Sequence, residues 1–272
     1  GGSKDNMRVI FLGKNSEGNG GFCKGIAALQ YLLDCQCEVV SVVACDETLK
    51  NFAYGKNLAL KEIEEIYNDI DNGEIQNIDF VISYGYMRRI RQPLIGFSQL
   101  GCINFHPAPL PDWRGMGGVF NFALFEEVKE WGVTAHLVDK SFDTGDILKV
   151  NYFDVDASRE TVASLVQKSH EQLYILYRAI VDSLINSSID MSPRKQGKGR
   201  YISRKDFNIL RKIQTTDSLE TIDKKIKAFF YPPRHGAFIE IQGKEYTLVN
   251  DEMLKKIKII IEKEEKDGRN IF

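Results

Sequence analysis

Basic residues are not in excess. The chain has 36 Lys and Arg against 38 Asp and Glu, a net charge of −2 and an isoelectric point near 6.2. A protein that chiefly grips a nucleic-acid backbone usually carries a basic surplus, so nucleic acid is not an expected partner. Histidines number only four, and the five cysteines (23, 35, 37, 45 and 102) are odd in number and contain no C-x-x-C pair. This pattern argues against a bound metal and for reduced thiols in a cytoplasmic protein. Apolar runs stay strand-sized, as in Val39–Cys45, and none approaches the ~20 residues of a membrane helix, so no membrane partner is expected. The residues before Met7 lack an apolar secretory core, and the Gly1-Gly2-Ser3 start of segment 1–6 reads as a tag remnant. Internal repeats and low-complexity tracts are also missing. What is plentiful is core material: 43% of the 272 residues are hydrophobic and 11% aromatic, too much for a solvated coil.

Arg8–Gly13 reads as a buried strand that breaks at a glycine, followed by a polar Gly-rich loop (14–21) and a helical segment from Phe22 to Leu33. Glu38–Cys45, Asp79–Tyr84 and Cys102–Phe105 are further buried strands, with a helix over Asn57–Ile70. Nearly all-apolar strands alternating with helices predict an α/β, Rossmann-like fold with a mostly parallel sheet covered by helices on both faces. Ligands of such folds bind beyond the carboxyl ends of the strands, so the loops after Leu12, Cys45, Tyr84 and Phe105 should line one crevice. Later elements are a helix (Val119–Glu127), strands over Gly132–Val138 and Thr144–Tyr152, and a long amphipathic helix over Glu160–Ile185. Residues 186–205, rich in Ser, Gly, Lys and Arg, read as a connector. A helix (Leu219–Phe230), a Pro232-Pro233 turn and a hairpin of Ala237–Ile241 with Tyr246–Val249 follow. The Lys/Ile tail over Lys255–Ile261 suits a strand or a helix equally. The expected division is a catalytic domain over 1–200 and a small helix-and-hairpin subdomain over 201–272.

The glycines 13, 18, 20 and 21 fit neither the dinucleotide fingerprint nor the P-loop spacing. A strand feeding a helix through exposed amides remains a good phosphate site, to which Asn15, Ser16 and Asn19 could add donors. A sharper signal comes from Asn104 and His106. They stand two apart at a strand end, so alternation sends both side chains to one side. The proline-dense run through Pro107, Pro109, Leu110-Pro111-Asp112-Trp113-Arg114-Gly115 follows, and Phe142-Asp143-Thr144-Gly145 places an acid before a glycine turn.

Asn104-Phe105-His106-Pro107, Leu110-Pro111-x-x-Arg114-Gly115 and Phe142-Asp143-x-Gly145 together resemble the signature of the 10-formyltetrahydrofolate-dependent formyltransferases. Ser83–Ile90 resembles the folate-binding segment of that family, and Ile226–Phe238 its helix-to-hairpin passage, so the likeness runs in order from about Arg8 to Val249. The resemblance implies 10-formyltetrahydrofolate as formyl donor and Asn104, His106 and Asp143 as catalytic residues. An amine attacking a formyl carbon develops an oxyanion that an amide such as Asn104 can stabilise. An imidazole can share that task or take the amine proton, and a carboxylate can orient the imidazole or relay the proton. Residue identity alone does not divide proton transfer between His106 and Asp143. The resemblance further implies a folate crevice between Tyr84–Ile90 and Asp139–Thr144, marked by Tyr86, Met87, Arg88, Ile90 and Asp139.

Aminoacyl-tRNA, glycinamide ribonucleotide and nucleotide-linked amino sugars all fit the chemistry. Set against the longer tRNA enzymes and shorter glycinamide ribonucleotide enzymes of the family, the intermediate length after the Pro-Pro turn and the negative net charge favour a sugar-nucleotide N-formyltransferase, and the resemblance of Phe229–Gly236 to enzymes acting on dTDP-4-amino-4,6-dideoxyglucose implies that substrate. A dTDP-3-amino sugar, UDP-4-amino-arabinose and methionyl-tRNA are the alternatives. Trp113 and Arg114 suit an anionic or ring-bearing substrate, Arg204 or Lys205 a diphosphate, and Tyr231 a stacked base. His136 reads as packing, His170 as a surface residue, Asp146 as structural and Cys102 as buried and inert. A homodimer through the C-terminal region is expected from the resemblance.

Overall fold

The computed structural model describes residues 6–15, 22–115, 117–141, 143–187 and 193–269. Ser16, expected at a phosphate, lies outside the described residues, as does the rest of 16–21. Six strands form one sheet in the order β2-β1-β3-β4-β5-β6. They are β1 (Arg8–Gly13), β2 (Glu38–Ala44), β3 (Phe80–Tyr84), β4 (Cys102–His106), β5 (Glu130–Leu137) and β6 (Ile147–Asp154). The pairs β1–β2, β1–β3 and β3–β4 are parallel, whereas β5 and β6 join antiparallel. This is the mostly parallel, Rossmann-like arrangement expected from the apolar strands.

The alternation of side chains along β1 explains why both faces are covered. Val9 and Phe11 enter one core, with Leu29 and Leu32 of α1 (Gly25–Asp34) and Leu176, Tyr177 and Ile180 of α6 (Val162–Asn186). Ile10 and Leu12 enter the other, with Ile66 and Tyr67 of α3 (Ile63–Asp71) and Leu94 of α4 (Leu94–Phe97). Tyr177 is fully buried and donates its hydroxyl proton to the Ala28 carbonyl at 2.7 Å. Its ring stands edge-on to Tyr84 and Phe105, each centroid 5.1 Å away, contacts worth ~0.5–1.5 kcal/mol apiece beyond burial.

The helix expected over Asn57–Ile70 forms only from Ile63 onward, as α3, and an unforeseen helix precedes it. This is α2 (Glu47–Gly55), capped by Asp46, whose carboxylate accepts from Leu49 N–H at 3.1 Å. Asn57 then takes a left-handed φ of 57°, and Leu60 bridges to Val42 before α3 begins. His170 lies half-buried on α6 and is not a surface residue. Burial lowers its pKa to about 4.

The Cα framework separates into two compact units. The first holds Gly1–Met116, Glu130–Asp154 and Val166–Tyr201; the second holds Gly117–Lys129, Val155–Leu165 and Ile202–Phe272. Within the second unit, α5 (Val119–Phe125) packs beside α8 (Leu219–Phe229), and Asn121 Nδ2 donates to the Ala228 carbonyl at 2.9 Å. A helix not foreseen in the sequence, α7 (Arg204–Arg211), starts at a Ser203/Asp206 capping box. Its Phe207 meets Phe229 edge-on at 5.2 Å. The hairpin pairs β7 (Phe238–Ile241) with β8 (Lys244–Thr247). The Lys/Ile tail is helical, forming α9 (Asp251–Lys266). Local chemistry decides this: Asn250 caps Met253 N–H at 3.0 Å, acids occupy the first turn and lysines the last, and Met253 is buried.

Candidate active site

β4 delivers Asn104 and His106 to the same side of the sheet end, and β5 runs beside it in a register that sets His136 against Asn104 and Thr134 against His106. The proline-dense exit of β4 is tied down from β5. Trp131 Nε1 donates to the Pro107 carbonyl at 3.1 Å. Thr134 Oγ1 donates to the Ala108 carbonyl at 2.8 Å and accepts from Leu110 N–H at 3.1 Å. The loop therefore leaves the strand in a fixed direction and carries Trp113 back to His106.

His106 is buried. Its Nε2 lies 2.9 Å from the Trp113 carbonyl, and its Nδ1 lies 3.5 Å from Asp143 Oδ1. A carbonyl can only accept, so Nε2 carries a proton and Nδ1 is the nitrogen that exchanges one opposite the carboxylate. Asp143 sits at a left-handed φ of 58°, with Oδ2 accepting from Gly115 N–H at 3.4 Å. Close behind it, a Cβ built on Gly145 would stand 1.6 Å from the Leu137 carbonyl oxygen, so only glycine lets the turn pass.

Two members of this cluster escaped the sequence reading. His136, expected to serve packing, has Nε2 3.1 Å from Asn104 Nδ2 and 3.8 Å from Asp143 Oδ1. Burial lowers its pKa, while the Leu137 carbonyl on Nδ1 and the Asp143 charge oppose that shift. Gln196 lies in the stretch expected to be a mere connector. Its Nε2 donates to the carbonyls of Asp143 (2.9 Å) and Gly145 (2.5 Å), and its Oε1 accepts from Arg114 Nη2 at 3.0 Å. The same stretch bridges Arg194 to Ile147 and Tyr201 to Arg114, and stacks Arg200 on the Trp113 ring at 4.4 Å. It is an integral wall of the first unit, which no spacing rule in the sequence could have revealed.

The remaining expected residues fall as follows. Tyr86 and Ile90 are buried, Met87 is 48% exposed and Arg88 is exposed, all on the loop after β3. Arg89 Nη2 donates to the Lys140 carbonyl at 2.9 Å, so this loop and the 139–144 turn face each other across the expected crevice. Asp139 shapes that turn, its Oδ1 accepting from Ser141 N–H (2.9 Å) and Thr144 Oγ1 (2.7 Å). Asn15 is engaged by the chain: its Oδ1 accepts from Ile26 N–H at 2.9 Å, and its N–H donates to Asp46 at 3.0 Å. Trp113 meets Trp131 edge-on at 4.8 Å. The buried Nε of Arg114 has no partner among the described residues. Arg204 and Tyr231 belong to the second unit, where Arg204 lies over Phe207 (5.6 Å) and Arg234 over Tyr231 (5.0 Å). Cys102 is buried, which pushes its thiol up to about 12 and leaves it inert. No group of three metal-ligating side chains occurs among the described residues.

An amide, two imidazoles and a carboxylate gathered at the carboxyl end of a doubly wound sheet can stabilise an oxyanion and move a proton in one place, the requirements of acyl-type group transfer. Residues 53–181 match the family model described as formyl transferase. That segment is a formyl transferase domain. It is 27% identical over 263 residues to a methionyl-tRNA formyltransferase of Wolbachia pipientis, covering 90% of this chain and 81% of the relative. It is 26% identical over 179 residues to a GDP-perosamine N-formyltransferase of Brucella melitensis, covering 66% and 67% of the two chains. Among solved structures, an N-formyltransferase of Helicobacter canadensis in complex with folinic acid and dTDP-3-aminofucose shares the fold, with a TM-score of 0.69 and 22% identity over 90% of this chain and 89% of that one.

Proposed function

We propose that this protein is a sugar-nucleotide N-formyltransferase. In this reading it moves the formyl group of 10-formyltetrahydrofolate to the amine of a dTDP-linked amino-dideoxy sugar, dTDP-4-amino-4,6-dideoxyglucose in particular. The observation that carries the reading is the half-buried Asn104 and Asp143 gathered around the buried His106 at the end of β4, inside the matched formyl transferase segment. The folate co-substrate supplies the formyl carbon. The loop carrying Tyr86, Met87, Arg88 and Ile90 is assigned to the folate, with Met87 and Arg88 exposed on it and Asp139 holding the opposite turn in shape.

The chain's own residues then divide the work. The amine lone pair forms the new C–N bond as the carbonyl π pair moves onto oxygen, and Asn104 Nδ2–H donates to that oxyanion. The proton leaving the amine passes to the His106–Asp143 pair, whose carboxylate stabilises the charged ring. Collapse of the intermediate breaks the bond to the donor nitrogen, and the pair returns a proton to it. Arg114, with its unpartnered Nε, and Trp113 are assigned to the sugar nucleotide. The reading extends to a cytoplasmic homodimer built through the C-terminal region and serving surface-polysaccharide synthesis.

The test is a mass-spectrometric assay with 10-formyltetrahydrofolate and a panel of dTDP-, UDP- and GDP-linked amino sugars. Gain of one formyl group on the dTDP-4-amino sugar alone is the expected result. The second reading, a 3-amino sugar, is favoured by the dTDP-3-aminofucose in the Helicobacter canadensis structure. Formylation confined to that amine would select it. Formylation of methionyl-tRNA with no sugar modified would overturn both.

A further inference from the structure

We propose that His136, held as the neutral Nδ1–H tautomer, is a positioning residue that fixes which way the Asn104 amide faces. The deduction starts at the one partner with no choice of role. The Leu137 carbonyl lies 2.8 Å from His136 Nδ1 and can only accept, so Nδ1 carries the proton. The ring is buried, and its desolvation favours the neutral form. Nε2 is therefore a bare lone pair, and the Asn104 atom 3.1 Å from it must be the NH2 group. The other end of the amide agrees: Ser83 Oγ, itself buried on the neighbouring strand β3, donates to Asn104 Oδ1 at 2.8 Å.

A directed chain results, running from the Ser83 hydroxyl through the Asn104 amide to His136 and ending on the Leu137 carbonyl. Both alternative states break it. A flipped amide would set its oxygen against the Nε2 lone pair, and a ring protonated on Nε2 would set N–H against N–H. With its oxygen and one N–H committed, Asn104 keeps a single N–H for anything placed before β4. Without His136 that donor would share its position with a carbonyl oxygen, which repels an oxyanion. The other charged or titratable groups at the ring are Asp143 at 3.8 Å and, acting at longer range, His106 and Asp139. They sit on the Nε2 side or on the following turn, so none replaces the Leu137 carbonyl as partner of Nδ1.

The meaning for turnover rests on the formyl-transfer reading above; the tautomer does not. Imidazole 15N NMR of the whole protein near neutral pH should show His136 protonated on Nδ1 and bare on Nε2. The Nε2–H tautomer would overturn the proposal whatever the enzyme's substrate. In formyl transfer, His136→Leu should lower kcat about tenfold or more with KM for the amino sugar little changed. His136→Gln should recover most of that loss, because its amide can accept from Asn104 and donate to Leu137. A His136→Leu enzyme as fast as the parent, or a folded His136→Gln enzyme as slow as His136→Leu, would overturn the positioning role. Inactivity of the parent on every amine tested would sink the formyl-transfer reading alone, with the NMR result still standing.

Discussion

If the protein acts as proposed, Asp143→Asn is expected to lower kcat by roughly a hundredfold or more while leaving sugar-nucleotide affinity close to that of the parent. The substitution keeps volume and leaves the side-chain oxygen able to accept from Gly115, so the turn has no reason to move. It removes the negative charge opposite His106 Nδ1. Because Nε2–H is already committed to the Trp113 carbonyl, Nδ1 is the only ring nitrogen left to take a proton. An uncharged amide there offers no compensation for a positive ring. His106→Asn should fall as far, by deleting the ring itself. Stopped-assay kinetics set beside calorimetric titration of the sugar nucleotide would separate the two effects. Turnover within a few-fold of the parent in either variant would remove these residues from the chemistry.

Gly145→Ala should be as damaging by a purely steric route. The added Cβ would meet the Leu137 carbonyl oxygen at 1.6 Å and its carbon at 2.6 Å. Both are backbone atoms of β5, which is paired on both edges. The turn must give way, and with it the two carbonyls that Gln196 grips and the Asp143 carboxylate between them. A loss of about 1–3 kcal/mol is the usual scale for an overpacked core position, so both the thermal midpoint and kcat should drop. Gly197→Ala supplies the control. A Cβ at Gly197 has nothing within 4 Å, and the backbone carbonyl that Arg114 uses is retained. Its stability should stay within about 0.5 kcal/mol of the parent. Equal melting and activity for the Gly145 variant and this control would show that the turn tolerates displacement.

The placements that could be read in advance share one property: they depend on neighbours close in sequence. Asn104 and His106 announce themselves because alternation along a single strand places both. The central strands were legible because each is apolar on both faces, and that signal needs no partner. His136 is buried, as a packing residue would be, but its contact with Asn104 is set by the antiparallel register of β5 on β4, which joins positions 32 residues apart. A mid-strand histidine looks the same whether it faces leucine or an active asparagine. Gln196 reaches across 53 residues to Asp143, through a segment whose Ser, Gly, Lys and Arg content suggests only solvent. The tail over 255–261 could not be decided because its Lys/Ile order fits either period, and the deciding atoms are the cap at Asn250 and the anchor at Met253.

The ordering of segments in the second unit bears on how the chain could be divided. That unit draws on 117–129 and 155–165 as well as on everything after 201, so it is braided into the first along the chain and is not a trailing module. Cutting after Tyr201 would leave α5 behind without α8. Val119, Ala123 and Leu124, now buried, would face water, and Asn121 would lose the Ala228 carbonyl. Such a fragment should aggregate or melt early instead of behaving as a free-standing catalytic half. Any lineage that exchanged this C-terminal portion for another would have had to rework two internal stretches of the catalytic chain at the same time.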